Sequence, residues 1–174
     1  SLTRTPRFAY PIYARPPELQ DGQIFHSRAQ IESGSLAGRG LEIAWLDDPV
    51  DVFFLHIQGS GRIKLTNGQT IRVGYAGRNG HAYRSVGKEM VNRGMRTPDQ
   101  VSAQDIQSYV RTSGSAGTNL LNTNPSYVFF RKVALAASEG PIGALGRSIT
   151  PLRSVAVDPD FTQMGAPVWI EKTG

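Results

Sequence analysis

Apolar positions along this chain fall in short runs broken by glycine and proline, with few helix-length amphipathic stripes. Ser27 to Leu36 reads as a short helix: Ser27 is placed to cap it, Gln30 three residues on completes a capping box, and Gly38 and Gly40 end it. Leu41 to Leu46 follows as a strand, and Asp47-Asp48-Pro49 as a turn. The run from Asp51 to Ile57 is almost wholly apolar and predicts a second, buried strand, which Gln58-Gly59-Ser60-Gly61 breaks. Arg62–Leu65 and Thr70–Tyr75 flank Asn67-Gly68, the strongest short-range hairpin signal. Tyr83 to Asn92 predicts a helix closing near Gly94. Pro98 and Ser102 announce another, with Ser102 and Asp105 at capping-box spacing and Ile106, Tyr109 and Val110 on one face. The small, polar stretch from Ser113 to Asn124 reads as a junction. Strands are expected at Tyr127–Val133, Arg153–Val157 and Pro167–Glu171. The pattern therefore predicts a mainly β, α+β protein: a β-barrel-like core carrying two or three helices, without repeats or low-complexity tracts.

Composition changes this picture little. A chain of 174 residues suits one large domain or two small ones, and 19 glycines with 11 prolines fit a strand-rich, turn-rich architecture. The net charge of +5 favours polyanionic partners. The cations are scattered and not interleaved with aromatics, which argues against nucleic acid, whereas an acidic cell-wall polymer fits the charge equally well. With no cysteine, disulfide and thiol chemistry are excluded. The sequence contains neither a signal peptide nor an apolar run of membrane-spanning length. It opens without methionine, and we expect it to be a piece of a longer protein.

Candidate chemistry narrows by elimination. His26, His56 and His81 lack metal-ligand spacing, and His56, between Leu55 and Ile57, reads as structural; no metal or other cofactor is expected. Ser60 follows Gln58-Gly59, where a nucleophile elbow requires glycine two positions before the serine, and a hairpin rather than a helix comes next. Gly74, Gly77 and Gly80 match neither common phosphate fingerprint, leaving anion binding by backbone amides or tight packing as their two readings. Asp47, Asp48 and Asp51 cluster at a turn, where carboxylates are usually solvated or capping. Asp158, in Asp158-Pro159-Asp160, is either a turn residue or a carboxylate in a cleft. Gln58, Ser60, Tyr75, Asn79, Tyr83 and Tyr127 supply the aromatic faces, amides and hydroxyls that sugars require, set around glycine-rich turns.

The stretches that carry most information are Phe53-Phe54-Leu55-His56-Ile57-Gln58-Gly59-Ser60-Gly61, Tyr75-Ala76-Gly77-Arg78-Asn79-Gly80-His81-Ala82-Tyr83 and Asn124-Pro125-Ser126-Tyr127-Val128-Phe129-Phe130. Together with Arg153–Asp158 and Gly165–Val168, they resemble, in order and over nearly the whole chain, the membrane-bound lytic murein transglycosylase A family, with the opening of its C-terminal three-aspartate region.

That resemblance implies a double-psi β-barrel with a smaller β-barrel domain inserted into it, the glycan strand lying in the groove between. Residues 1–122 would be mostly the inserted domain with its attached helices, and 123–174 an incomplete part of the double-psi barrel. The implied reaction cleaves the β-1,4 bond between N-acetylmuramic acid and N-acetylglucosamine in peptidoglycan, leaving a 1,6-anhydromuramic acid end. A single aspartic acid serves as proton shuttle, because the sugar's own C6 hydroxyl is the nucleophile. Asp158 matches the first of the family's three aspartates rather than the catalytic one, which is expected beyond Gly174; Asp158 is expected to support it. By motif position, Gln58, Gly59, Ser60, Tyr75, Asn79, Tyr83 and Tyr127 are the substrate-binding candidates. The implied setting is the periplasmic side of the outer membrane, with a lipid anchor outside this chain and a monomeric protein. The alternative is a non-catalytic peptidoglycan-binding module that kept the groove and lost the acid.

Overall fold

In the computed structural model, which describes residues 1–134, the chain runs β1 (Tyr10–Tyr13), α1 (Arg28–Gln30, continued by a π-helical turn over Ile31–Ser35), β2 (Glu42–Leu46), α2 (Pro49–Gln58), β3 (Ser60–Lys64), β4 (Thr70–Arg78), α3 (Val86–Asn92), a 3-10 turn (Pro98–Gln100), α4 (Ala103–Thr112), α5 (Ser115–Leu121) and β5 (Val128–Val133). The capping boxes at Ser27/Gln30 and Ser102/Asp105 form as the spacing predicts. β3 and β4 make the expected hairpin, with Lys64 opposite Thr70 and Gly68 in the left-handed region at φ 84°.

The largest departure is α2: residues 51–57 are helical, not a strand. Asp48 is the N-cap, its Oδ1 accepting from Val50 N at 2.8 Å, Pro49 occupies the first turn, and Gly59 closes the helix at φ 71°. The helical period is hidden because α2 is apolar on two sides. Val52 and Leu55 pack into one cluster with Ile12, Ala44, Ile63 and Val73. Val50 and Phe53 pack into a second with Val86, Met90, Val110 and Leu120. A helix wedged between two cores loses its polar stripe and becomes indistinguishable from a buried strand by pattern alone.

Two other helices differ from expectation. The residues from Ser113 to Asn124 include α5 rather than forming a plain junction. Its N-cap, Gly114, makes no side-chain cap, and Gly117 sits inside it because a Cβ there would lie 2.6 Å from Val110 Cα in α4. Close helix packing thus demands the residues that erase the helix signal. The helix expected from Tyr83 starts only at Val86, capped by Ser85.

The strands form an antiparallel pair β1–β2 and an antiparallel sheet β3–β4–β5, joined by one parallel bridge between Ala14 and Phe130. Among the described residues these strands do not close into a barrel. β1 is four residues long, and Pro16-Pro17 just beyond it provide no amide donors to extend the contact with β5. The class is mixed α+β rather than mainly β, since helix exceeds strand among the described residues. Asp158 and the strands expected at Arg153–Val157 and Pro167–Glu171 lie outside the described residues.

Candidate functional site

Two neighbouring regions hold the candidate residues: a buried polar hub and the exposed turns around it. The hub forms where three chain segments, near residues 25–28, 79–81 and 124–127, meet without a regular sheet to pair their backbones. Side chains supply the missing partners. Asn79 is fully buried: its Nδ2 donates to His26 O at 2.9 Å and Pro125 O at 2.8 Å, while its Oδ1 accepts from Tyr127 N at 2.8 Å. Asn124 Oδ1 accepts from Arg84 N and Ser126 N, tying the segment before α3 into the same hub.

Arg28, 3% exposed, binds the hub to α2. Its guanidinium donates to Asn124 O at 3.1 Å, Ser126 O at 2.7 Å and His56 Nδ1 at 3.1 Å, and it lies over the rings of Phe53 and Tyr127. Because Nδ1 accepts, the His56 proton belongs on Nε2. The imidazole lies 4.2 Å from the Tyr127 ring centroid and stacks on Phe130. Burial, and secondarily the Arg28 charge, holds the His56 pKa well below its ordinary 6.5, so the folded protein keeps this ring neutral. Burial likewise pushes the buried Tyr127 phenol well above its usual 10.0.

The unfolded state takes up a proton at His56 that the folded state refuses. Its contribution to stability is therefore complete above about pH 6.5 and declines as pH falls, by up to about 1.4 kcal/mol per pH unit. His56→Gln keeps an acceptor for Arg28 but cannot titrate. Denaturant titrations between about pH 4 and pH 6 are expected to show a shallower acid loss in the variant than in the parent. Equal slopes would mean that His56 titrates normally in the fold.

The exposed region is built at the C-terminal end of α2, just past His56. Gly59, in the left-handed conformation, turns the chain straight from helix into β3; Ser60 pairs with Gly74, and a Cβ on Gly59 would lie 3.9 Å from Tyr75 Cβ. Gln58, Gly59, Ser60 and the half-exposed Tyr75 are thus brought together on one edge, with exposed Ile57 preceding them. At Gly77 a bulge in β4, φ 145°, lets the Arg15 side chain cross close to the backbone and donate to Ala76 O. Tyr83, 53% exposed, sits on a separate segment, between the Asn79 turn and α3. Asn79 and Tyr127, expected among the substrate-binding residues, are buried in the hub, because the crossing backbones consume the amide and the ring fills the cluster with Tyr13, Leu36 and Phe129.

Arg28 and Asn124 were not among the expected site residues. Arg28 follows a helix cap, where an arginine reads as a solvated charge, and nothing local marks it as buried. The acidic cluster is structural: Asp48 caps α2, and both Asp48 and Asp51 bind Arg111 of α4, at 2.6 and 3.3 Å. Burial is the main cause raising the Asp51 carboxyl, with Asp48 beside it adding to the shift.

Comparison with known proteins places this geometry. Residues 1–131 match the family model described as the MltA specific insert domain. A membrane-bound lytic murein transglycosylase A of Vibrio cholerae is 34% identical over 166 residues, covering 94% of this chain and 44% of that protein. Among solved structures, E. coli MltA with bound chitohexaose superposes with a TM-score of 0.79 at 36% identity, covering 92% of this chain and 46% of that one. The lytic transglycosylase LtgG of Burkholderia pseudomallei gives 0.73 at 42% identity, covering 92% and 47%. The chain spans about half the length of the relatives it matches.

Proposed function

The chain belongs to the MltA family, carrying its insert domain over residues 1–131, and from that premise we propose that the protein is a peptidoglycan lytic transglycosylase. In this reading the insert domain is the open, two-sheet α+β unit described above. The chain beyond residue 131 leads back to a double-psi barrel, and the glycan strand lies along the edge that carries Gln58, Gly59, Ser60 and Tyr75. One observation carries the assignment of that edge: Gly59 brings an amide, a hydroxyl and an exposed aromatic face together on a rigid helix-to-strand corner. Such an edge offers stacking for a sugar ring and hydrogen bonds for its hydroxyls. Tyr83 contributes a second aromatic surface. Asn79 and Tyr127 act from below, fixing the segments that carry the surface residues.

The reaction is a transfer within the substrate. An aspartic acid protonates the glycosidic oxygen as the bond from C1 of N-acetylmuramic acid breaks. The resulting carboxylate then takes the proton of the C6 hydroxyl as O6 bonds to C1, closing the 1,6-anhydro ring and restoring the acid. A water-using glycosidase needs a second carboxylate, whereas an internal nucleophile does not. We assign the shuttle to an aspartate of the longer protein beyond Gly174, with Asp158 supporting it. The setting that follows is the periplasmic face of the outer membrane, reached through a lipid anchor; among the described residues no helix is long and apolar enough to cross a membrane.

Mass spectrometry of peptidoglycan digested by the intact protein is expected to show 1,6-anhydromuropeptides and no new reducing ends. Reducing ends would mean hydrolysis, and binding without products would favour a glycan-binding module.

A further inference from the structure

An open cavity of about 490 Å³ lies beside the segment that carries Tyr83, lined by His81, Arg84, Ser85, Glu89, Asn122 and Thr123. Most of its polar groups are already engaged. His81 Nε2 donates to Phe25 O, Ser85 Oγ caps α3, Thr123 Oγ1 donates to Leu120 O, and Glu89 binds Arg93 at 2.7 Å. Two are not: among the described residues, the Arg84 guanidinium and the Asn122 side-chain amide have no hydrogen-bond or ion-pair partner. Their backbone is fixed, since Arg84 N is bound to the hub through Asn124 Oδ1 at 3.1 Å and Asn122 ends α5, while the Arg84 side chain itself is exposed.

A guanidinium and an amide on fixed backbone are suited to a carboxylate, which the guanidinium can take in bidentate fashion. A neutral sugar ring would leave the charge unanswered. Tyr83, the second aromatic surface proposed for the glycan, directly precedes Arg84 in the chain. A substituent leaving a sugar stacked there would meet this cavity next.

We propose that the cavity receives the carboxylate-bearing peptide stem that hangs from the muramic acid residues of the glycan strand, with Arg84 and Asn122 as its anchors. This rests on peptidoglycan being the substrate. The cavity makes the protein selective for glycan that still carries its peptides, and the glycan edge at Gln58 and Tyr75 binds the sugar in either case.

The test is calorimetric titration of the intact protein with two probes, a glycan tetrasaccharide carrying tripeptide stems and the same tetrasaccharide with its stems removed. The parent is expected to bind the stemmed probe about tenfold more tightly, the scale of one charge-assisted contact. Arg84→Ala is expected to abolish that preference and leave affinity for the bare probe unchanged; Asn122→Ala is expected to reduce the preference in part. Both variants alter side chains without an internal partner, and an unchanged melting temperature checks their folds. Equal affinity of the parent for the two probes, or an Arg84→Ala effect of the same size on both, would overturn the proposal while leaving the glycan reading intact. Failure to bind either probe would remove both.

Discussion

Arg28→Met is expected to destabilise the protein by about 3–5 kcal/mol, seen as a large fall in the denaturant midpoint at constant slope. The substitution keeps most of the buried volume but strands Asn124 O, Ser126 O and His56 Nδ1 in an interior where nothing else donates to them. A buried acceptor without a partner costs about 1–3 kcal/mol, so three outweigh the relief of no longer desolvating a guanidinium. Arg28→Lys is expected to recover only part of the loss, because one ammonium cannot reproduce the forked geometry. Arg39→Ala, which removes an exposed pair with Glu18 at 2.7 Å, is expected to leave the midpoint where it was. Equal effects of Arg28→Met and Arg39→Ala would show that the hub does not hold the fold.

Gly80→Ala is expected to be comparably severe, lowering the melting temperature by roughly 10 °C. Gly80 sits at φ +77°, and a Cβ would lie 2.2 Å from Gln23 O and 2.8 Å from Gln23 C, both backbone atoms that cannot move without shifting the Ile24 segment. Left-handed strain alone costs an alanine about 1–2 kcal/mol. Gly38 measures that part separately: its φ is +74° and nothing lies within 4 Å of the place a methyl would take, so Gly38→Ala is expected to show the conformational cost alone. The excess at Gly80 reflects a collision between the segment before Tyr83 and the segment before α1. Calorimetry on the two variants separates the two effects, and matching shifts would mean the close approach is absent.

The contrast between these two glycines indicates what a linear reading can and cannot see. Local signals are legible wherever the chain satisfies itself within four residues: the caps at Ser27 and Ser102 and the hairpin at Asn67-Gly68 need no tertiary knowledge. α2 is not, because its two apolar faces belong to different cores, although Asp48, Pro49 and Gly59 carry its caps in plain view. α5 is hidden by Gly117, whose reason lies in Val110 on the neighbouring helix. Among the candidate site residues, Gln58, Gly59, Ser60 and Tyr75 stand together and Tyr83 is exposed on a separate segment. Asn79 and Tyr127 carry the same sugar-friendly chemistry but use it inside, since an amide serves crossing backbones as well as it serves a hydroxyl. Arg28 is illegible for a related reason: its partners Asn124 O and Ser126 O are main-chain carbonyls far along the chain, and carbonyls leave no mark in the sequence.

Glycan binding along the edge at Gln58–Ser60 and Tyr75 is the claim on which the functional reading depends most. The direct measurement is amide chemical-shift mapping of the intact, isotope-labelled protein during titration with chitohexaose. The predicted result is saturable shifts concentrated at Gln58, Gly59, Ser60, Tyr75 and Tyr83, with Tyr75→Ala weakening the binding about tenfold, the scale of one lost aromatic contact. Shifts that gather on α4 and α5, or saturable binding that Tyr75→Ala leaves untouched, would contradict it.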